Sequence, residues 1–131
     1  MILLDTHIVI WLASSQSEKL SRQAVSAIRN ARDQRGGLAI SAITLYEIAM
    51  LAAKGRIDVR TSAESFLDEI ENQFVVKPIT GRICAETMRL PDAYPKDPMD
   101  RLIGATAIVE GLTLITADAA IQRSNAVATM W

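Results

Sequence analysis

The segment from Asp97 to Ala107, DPMDRLIGATA, predicts a helix whose first turn is acidic. Asp97 is a favourable N-cap residue, and Pro98 suits the first helical position, where no backbone donor is needed. Asp100 then occupies the third helical position, close to the positive end of the helix dipole. The small residues after it predict a face that packs closely on a sheet. Gly111 predicts the helix end, and the apolar run after it predicts a short buried strand.

Length and composition place the chain among compact α/β proteins. The 131 residues, half of them hydrophobic, are enough for a single domain spanning 1–131. We expect a cytoplasmic protein, because nothing resembles a signal peptide and no apolar run approaches the ~20 residues of a membrane span. His7 and Cys84 are the only histidine and cysteine. With one of each, the chain can form neither a disulfide framework nor a site with two histidine ligands. Cys84 is predicted to be a small core residue.

The net charge of −1 argues against general nucleic-acid coating, which needs a broadly basic surface. It leaves open a nucleic-acid enzyme, because acids gathered at one site lower the total while basic residues remain free around the rim. Short apolar segments alternate with amphipathic ones along the chain, which predicts a parallel sheet covered by helices on both faces. The predicted strands are 1–4, 38–40, 74–76, 112–115 and 127–130.

Four acids lie where this alternation brings strand ends together. Asp5 directly follows the first strand, and Glu47 lies early in the helix after the second. Asp100 begins the helix that leads to the fourth strand, and Asp118 follows that strand. Because the crevice of such a sheet lies beyond the carboxyl ends of its strands, all four can reach one edge. Thr44 and Glu47 also have capping-box spacing, which offers a purely structural role for Glu47.

Carboxylates within ~4–6 Å of one another repel, so their convergence predicts a cation between them. Without a histidine pair or thiolates, a hard ion such as Mg²⁺ or Mn²⁺ is indicated, and its chemistry is phosphodiester hydrolysis. Asp5 and Asp100 would hold the metal, with Asp118 beside them directly or through water. Glu47 would hold a second ion or orient the attacking water. Hydroxyls of Thr6, Ser41 and Thr116 are placed to hydrogen-bond the acids.

The chain resembles PIN-domain proteins and, more narrowly, the VapC-like toxins of bacterial toxin–antitoxin pairs. The segments that carry the resemblance are MILLDTHIVIWLA (1–13), SAITLYEIAMLAAKGRI (41–57), LPDAYPKDPMDRLIGATA (90–107), LTLITAD (112–118) and Trp131. The resemblance implies a three-layer α/β/α fold with a five-stranded parallel sheet. It also implies a Mg²⁺- or Mn²⁺-dependent endoribonuclease that cleaves RNA, forms a homodimer and is held inactive by a cognate antitoxin.

Matched motif by motif, the family's four catalytic and metal-binding acids fall on Asp5, Glu47, Asp100 and Asp118. The chain departs from the family pattern in two places. Tyr46 stands where a tryptophan often precedes the glutamate, and Pro95-Lys96 replaces a more usual histidine pair. Neither departure removes a ligand, although the second could alter contacts with the substrate.

Three alternatives were weighed against this interpretation. A haloacid dehalogenase needs an acid two residues after its nucleophilic aspartate, where this chain has His7. A response-regulator receiver needs a lysine after a late strand, and the last two predicted strands offer none. An interaction module with the same fold but no chemistry would require all four acids to be caps or surface charges.

Two helical segments, Ile8–Ala13 and Ile48–Ala53, consist of six apolar residues each. A helix that is apolar all round needs burial on every side, and a sheet covers only one. We therefore expect an exposed apolar groove, rimmed by charge, that binds an antitoxin or a second copy of the chain. The alternative is that both runs are buried within the monomer. The predicted lining residues are Trp11, Leu12, Met50 and Leu51.

Overall fold

The structure is a computed structural model that describes residues 1–34 and 36–131. The strands are β1 (Ile2–Leu4), β2 (Leu38–Ser41), β3 (Val75–Lys77), β4 (Leu114–Ile115) and β5 (Thr129–Met130). The α-helices are α1 (Thr6–Ala13), α2 (Arg22–Asp33), α3 (Ala42–Ala53), α4 (Ala63–Gln73), α5 (Gly81–Thr87), α6 (Pro98–Glu110) and α7 (Ala119–Ser124). A short 3₁₀ turn, Ser17–Lys19, precedes α2.

The five strands form one parallel sheet in the order β3-β2-β1-β4-β5. Leu3 of β1 pairs with Ala39 on one side and with Leu114 on the other, which fixes the central register. The prediction of a five-stranded parallel sheet is therefore confirmed. The chain order reverses between β1 and β4, and at such a point the strand ends leave a crevice.

Helices cover both faces of the sheet, and alternation along the strands divides the core between them. Leu4 of β1 and Ile40 of β2 face a layer formed by α1 to α4, where Ile8, Ile28 and Phe66 meet them. The preceding residues in the same strands face the opposite layer, against α6 and α7. This arrangement confirms the predicted three-layer α/β/α architecture. No helix among the described residues is long and apolar enough to cross a bilayer.

Helix α6 begins and ends as its local sequence predicts. Asp97 caps it by accepting hydrogen bonds from the backbone N–H groups of Met99 (2.8 Å) and Asp100 (3.2 Å). Gly111 ends it with a φ of 65°, a left-handed conformation that glycine adopts without strain. The chain therefore enters and leaves this helix at sharply defined points.

The structure excludes one local alternative and one local prediction. The N-cap of α3 is Ser41, whose hydroxyl accepts from the N–H of Ile43 at 3.3 Å, so Thr44 lies inside the helix and cannot begin a capping box. Cys84 is exposed rather than buried. Ile83 and Thr87 occupy the inward face of the short helix α5, and this turns the neighbouring cysteine towards solvent.

Candidate active site

Asp5 is a buried carboxylate held by hydrogen bonds at the carboxyl end of β1. It caps α1, with Oδ1 accepting from the backbone N–H of Thr6 at 2.8 Å. Its other oxygen, Oδ2, accepts from the Thr116 hydroxyl at 2.7 Å. Burial raises the pKa of Asp5, and these two hydrogen bonds offset part of that increase. The negative charge of Asp118 adds to the increase.

Thr116 connects Asp5 to the fourth acid. Its hydroxyl donates to Asp5 and accepts from the backbone N–H of Asp118 at 3.1 Å. Asp118 in turn caps α7, with Oδ1 accepting from Ala120 (2.8 Å) and Ile121 (3.1 Å). The Thr116 hydroxyl was expected to hydrogen-bond an acid, and it does so between the ends of the two central strands.

Glu47 lies within α3, and its Oε1 is buried without a hydrogen-bond partner among the described residues. Burial raises its pKa, and the charge of Asp5 raises it further. The nearby Thr6 hydroxyl opposes this shift, although its closest measured partner is the Thr44 hydroxyl at 3.0 Å. A buried oxygen without a partner is costly in a structural residue, and this favours a ligand-binding role.

Asp100 lies in the first turn of α6 and is half-buried. Its hydrogen bonds within the described residues are made by backbone atoms, not by the carboxylate. Burial raises its pKa to about 7, and the negative charge of Asp5 is the next largest cause. Asp97, Glu47 and Asp118 also contribute to this increase. The carboxyl group of Asp100 therefore sits in a strongly negative environment without a counter-charge.

Tyr94 holds the first turn of α6 in place through a hydrogen bond, a role that sequence patterns did not indicate. It is almost completely buried, and its hydroxyl donates to the backbone carbonyl of Asp100 at 2.7 Å. The ring lies against Gly104, where an added Cβ would be 2.6 Å from ring carbon Cζ. In the sequence, Gly104 in the middle of the predicted helix indicates a close contact, but it does not identify Tyr94 as the residue in that contact.

The structure brings the four predicted acids into mutual electrostatic contact, and we call them the carboxylate cluster: Asp5, Glu47, Asp100 and Asp118. Of the other predicted hydroxyls, Thr6 lies close enough to Glu47 to lower its pKa and also contacts the Thr44 hydroxyl, whereas Ser41 caps α3. Within residues 1–34 and 36–131, no three histidine, cysteine, aspartate or glutamate side chains are already arranged as a ligand set. The donors are nevertheless all oxygens, and Glu47 Oε1 lacks a partner, so the cluster fits a hard divalent cation.

The predicted apolar groove is not formed as expected. Trp11 and Leu51 line a groove of about 760 Å³ beside α1, and the expected charge is present at Lys19, Arg56 and Arg60, which line the same groove. Leu12 lines a separate hollow of about 350 Å³ against α2. Met50 lines neither. The difference arises because α1 presents successive residues to different neighbours, so its apolar surface is divided between two hollows.

Comparison with known proteins identifies the family of this chain. The family model that matches is described as PIN domain, and it covers residues 2–126. The chain belongs to the PIN-domain family. Within it, the chain is similar to Ribonuclease VapC22 of Mycobacterium tuberculosis, with 38% identity over 117 residues that span 89% of this chain and 86% of the relative.

Solved structures extend the comparison to the fold of this PIN-domain chain. A toxin–antitoxin complex from Klebsiella pneumoniae matches with a TM-score of 0.65 and 26% identity, over 97% of this chain and 95% of the other. VapBC2 from Rickettsia felis, crystallised with a promoter DNA fragment, matches with a TM-score of 0.74 over 99% and 98% of the two chains. Its identity is 19%, so this likeness concerns the fold.

Proposed function

We propose that this PIN-domain chain is a metal-dependent endoribonuclease and the toxin of a toxin–antitoxin pair. The similarity to a VapC ribonuclease and to a toxin–antitoxin complex supports the activity class. One observation carries the chemistry: three carboxyl groups of the carboxylate cluster have raised pKa values, and one of them keeps a buried oxygen without a partner. A phosphodiester of RNA is the substrate that such a site would hydrolyse.

Asp5 and Asp100 would hold a Mg²⁺ or Mn²⁺ ion, with Asp118 contributing directly or through water. When bound, the ion neutralises charge on the scissile phosphate and lowers the pKa of a coordinated water. Asp5 brings a carboxylate already oriented by Thr116, whereas no hydrogen bond from the described residues orients Oε1 of Glu47 or the carboxylate of Asp100. No hydrogen bond from the described residues holds Oε1 of Glu47, so that side chain can accept a proton from, or orient, the attacking water.

The burial of Asp5 serves this chemistry. A carboxylate with a raised pKa is poorly compensated by the protein, so it gains more from a cation than a solvated carboxylate does. The hydrogen bonds from Thr6 and Thr116 keep Asp5 in one orientation while leaving its charge largely unmatched. Binding of the metal and relief of repulsion are therefore the same event.

Cleavage of RNA under metal control tests this function. We expect the chain to cut RNA with Mg²⁺ or Mn²⁺ and to stop with EDTA, and sequencing of the new 5′ ends would define the substrate. Asp100→Asn should lower the rate on the order of 100-fold or more, because even residues that only orient metal ligands cost 10–100-fold. Asp92→Asn, at an exposed carboxylate paired with Lys96, is the matched control and should cut normally. Normal cutting by Asp100→Asn would remove Asp100 from the site.

The proposed partners are a cognate antitoxin and a second copy of the chain. Expression should arrest bacterial growth, and co-expression of the antitoxin or the Asp100→Asn change should relieve the arrest. Leu51 is half-buried on the groove beside α1, so Leu51→Glu should weaken antitoxin binding or dimer formation. Ala53→Glu, at an exposed position on the same helix, is the control. A monomeric chain whose antitoxin binding is unaffected by Leu51→Glu would exclude this surface.

A further inference from the structure

His7 is a solvent-exposed aromatic residue beside the carboxylate cluster that the proposed chemistry does not use. It is the second residue of α1, two positions after Asp5. Its charge lowers the pKa of both Asp5 and Glu47, so the imidazole lies within electrostatic range of both acids. An exposed ring next to a proposed scissile phosphate is well placed to meet a neighbouring nucleotide.

The His7 ring is supported by a second aromatic residue. Its centroid is 6.2 Å from that of Trp11, with the planes inclined at 57°, a geometry typical of tilted aromatic pairs. Trp11 is itself held by Trp131, 6.2 Å away, and by Lys19, whose Nζ is 5.9 Å from the ring centroid. These contacts limit the movement of Trp11, which therefore forms a firm backing for His7.

His7 and Trp11 line the groove beside α1, and the net positive charge of its lining residues suits a polyanion such as RNA. Lys19, Arg56 and Arg60 line it, and they outnumber the two carboxylates that also do so. One of those carboxylates, Asp58, already accepts a hydrogen bond from the backbone N–H of Arg60. Proteins that bind single strands combine such a cationic groove with aromatic residues on which bases stack.

We propose that His7, backed by Trp11, stacks against an unpaired base of the RNA next to the scissile phosphate. The strand would then continue along the cationic groove. This inference rests on the proposed ribonuclease function and adds the residue that contacts the base beside the cleavage site. A base in a duplex is stacked on its neighbours and cannot offer a free face to the ring. His7 is therefore a specificity residue for unpaired RNA rather than a ligand of the metal.

The test measures RNA binding without cleavage. Fluorescence anisotropy would follow a labelled single-stranded RNA of mixed sequence, and the duplex of the same sequence, binding to the full chain in EDTA. His7→Ala and His7→Gln should weaken single-strand binding roughly 5- to 150-fold, the range that base–aromatic stacking gives by alanine substitution. His7→Phe keeps a flat ring and should bind within a few-fold of the wild type. Duplex binding should be similar in all four proteins.

Four results would overturn the stacking role. If the wild type cleaves RNA and His7→Ala binds single-stranded RNA as tightly as the wild type, the stacking role is overturned and the proposed function is not. Equal weakening by His7→Phe and His7→Ala would assign the effect to the polar edge of the imidazole. Loss of a co-purified antitoxin from His7→Ala, with unchanged RNA binding, would assign His7 to the protein-docking part of the groove, with Leu51, and not to RNA binding. Failure of the wild type to bind or cut RNA would overturn the proposed function, and the stacking role with it. Melting curves check the fold, which an exposed side chain should not disturb.

Discussion

The carboxylate cluster contains two acids that the protein holds and two that it does not. Asp5 and Asp118 each accept two hydrogen bonds, and the Thr116 hydroxyl joins the ends of the strands that carry them. Glu47 has a buried oxygen without a described partner, and the carboxylate of Asp100 receives no hydrogen bond from the described residues. Asp5 and Asp118 therefore form a rigid frame. Glu47 and Asp100 depend on a bound cation, which we propose is the metal.

This difference shows how the fold can keep four like charges together. The held acids are stabilised by local donors and would remain in place without a ligand. The two free acids lack such donors among the described residues, and burial and the neighbouring charges raise their pKa values, as burial also does for Asp5. The frame therefore sets the position of the site, and the free acids set its dependence on the metal.

Adding the metal should have the largest effect on the stability of the fold. If the cluster is assembled only in the folded chain, Mn²⁺ at 100-fold its Kd adds about 2.7 kcal/mol to the free energy of unfolding. For a chain of this size that is a rise of roughly 10 °C in Tm, measured by thermal melting and reversed by EDTA. Asp100→Asn should lose the rise. Melting that is indifferent to millimolar Mn²⁺ and to EDTA would count against a shared site.

Breaking the frame should cost stability, whereas neutralising a free acid should not. Thr116→Val removes the hydroxyl that donates to Asp5 and should lower the free energy of unfolding by about 1–3 kcal/mol, because it leaves a buried carboxylate oxygen unpaired. Glu47→Gln removes one repelling charge, so its metal-free stability should equal or exceed the wild type. Urea unfolding measures both. Thr113→Val is the matched control, because Thr113 bonds the neighbouring strand through its backbone carbonyl, which the substitution leaves in place. Equal destabilisation by Thr116→Val and Glu47→Gln would remove the distinction.

The pH dependence of the free energy of unfolding should reflect the titration of Asp100, one of the two free acids. Asp100 has a pKa of about 7 in the folded chain, against 3.8 ordinarily, so between these values the folded state binds more protons than the unfolded state. The contribution of Asp100 to the stability of the metal-free protein should therefore be fullest below about pH 4 and be lost as the pH rises through 7. Asp100→Asn abolishes this contribution, so its stability relative to the wild type should increase over the same range. Parallel curves from urea unfolding at several pH values would contradict the shift.

The smallest effect is expected at Asp97, which lies outside the cluster. Its carboxylate caps α6 from an exposed position. Asparagine caps nearly as well, so Asp97→Asn should change the free energy of unfolding by only a few tenths of a kcal/mol and retain most nuclease activity, whereas Asp97→Ala should cost about 1 kcal/mol. Urea unfolding and an RNA cleavage assay measure the two effects. A folded but inactive Asp97→Asn protein would place Asp97 in the catalytic machinery.

Features that depend on a few neighbouring residues were predicted well. Asp97, Pro98 and Gly111 set the two ends of α6 as expected. Capping joins a side chain to a backbone group within about three residues, so sequence spacing contains the necessary information. The alternation of strands and helices likewise follows from local hydrophobic periodicity, and it was enough to predict the parallel sheet.

Tertiary structure decided which competing local pattern was used and which distant groups met. Ser41 rather than Thr44 caps α3, because β2 runs directly into the helix and leaves Thr44 to meet Thr6. The bond from Thr116 to Asp5 spans 111 positions of the chain. Nothing in local spacing separates the two held acids from the two free ones, and that division arises only when the strand ends meet. The sequence by itself therefore determined the four acids and the elements that carry them, whereas packing decided how each acid is held.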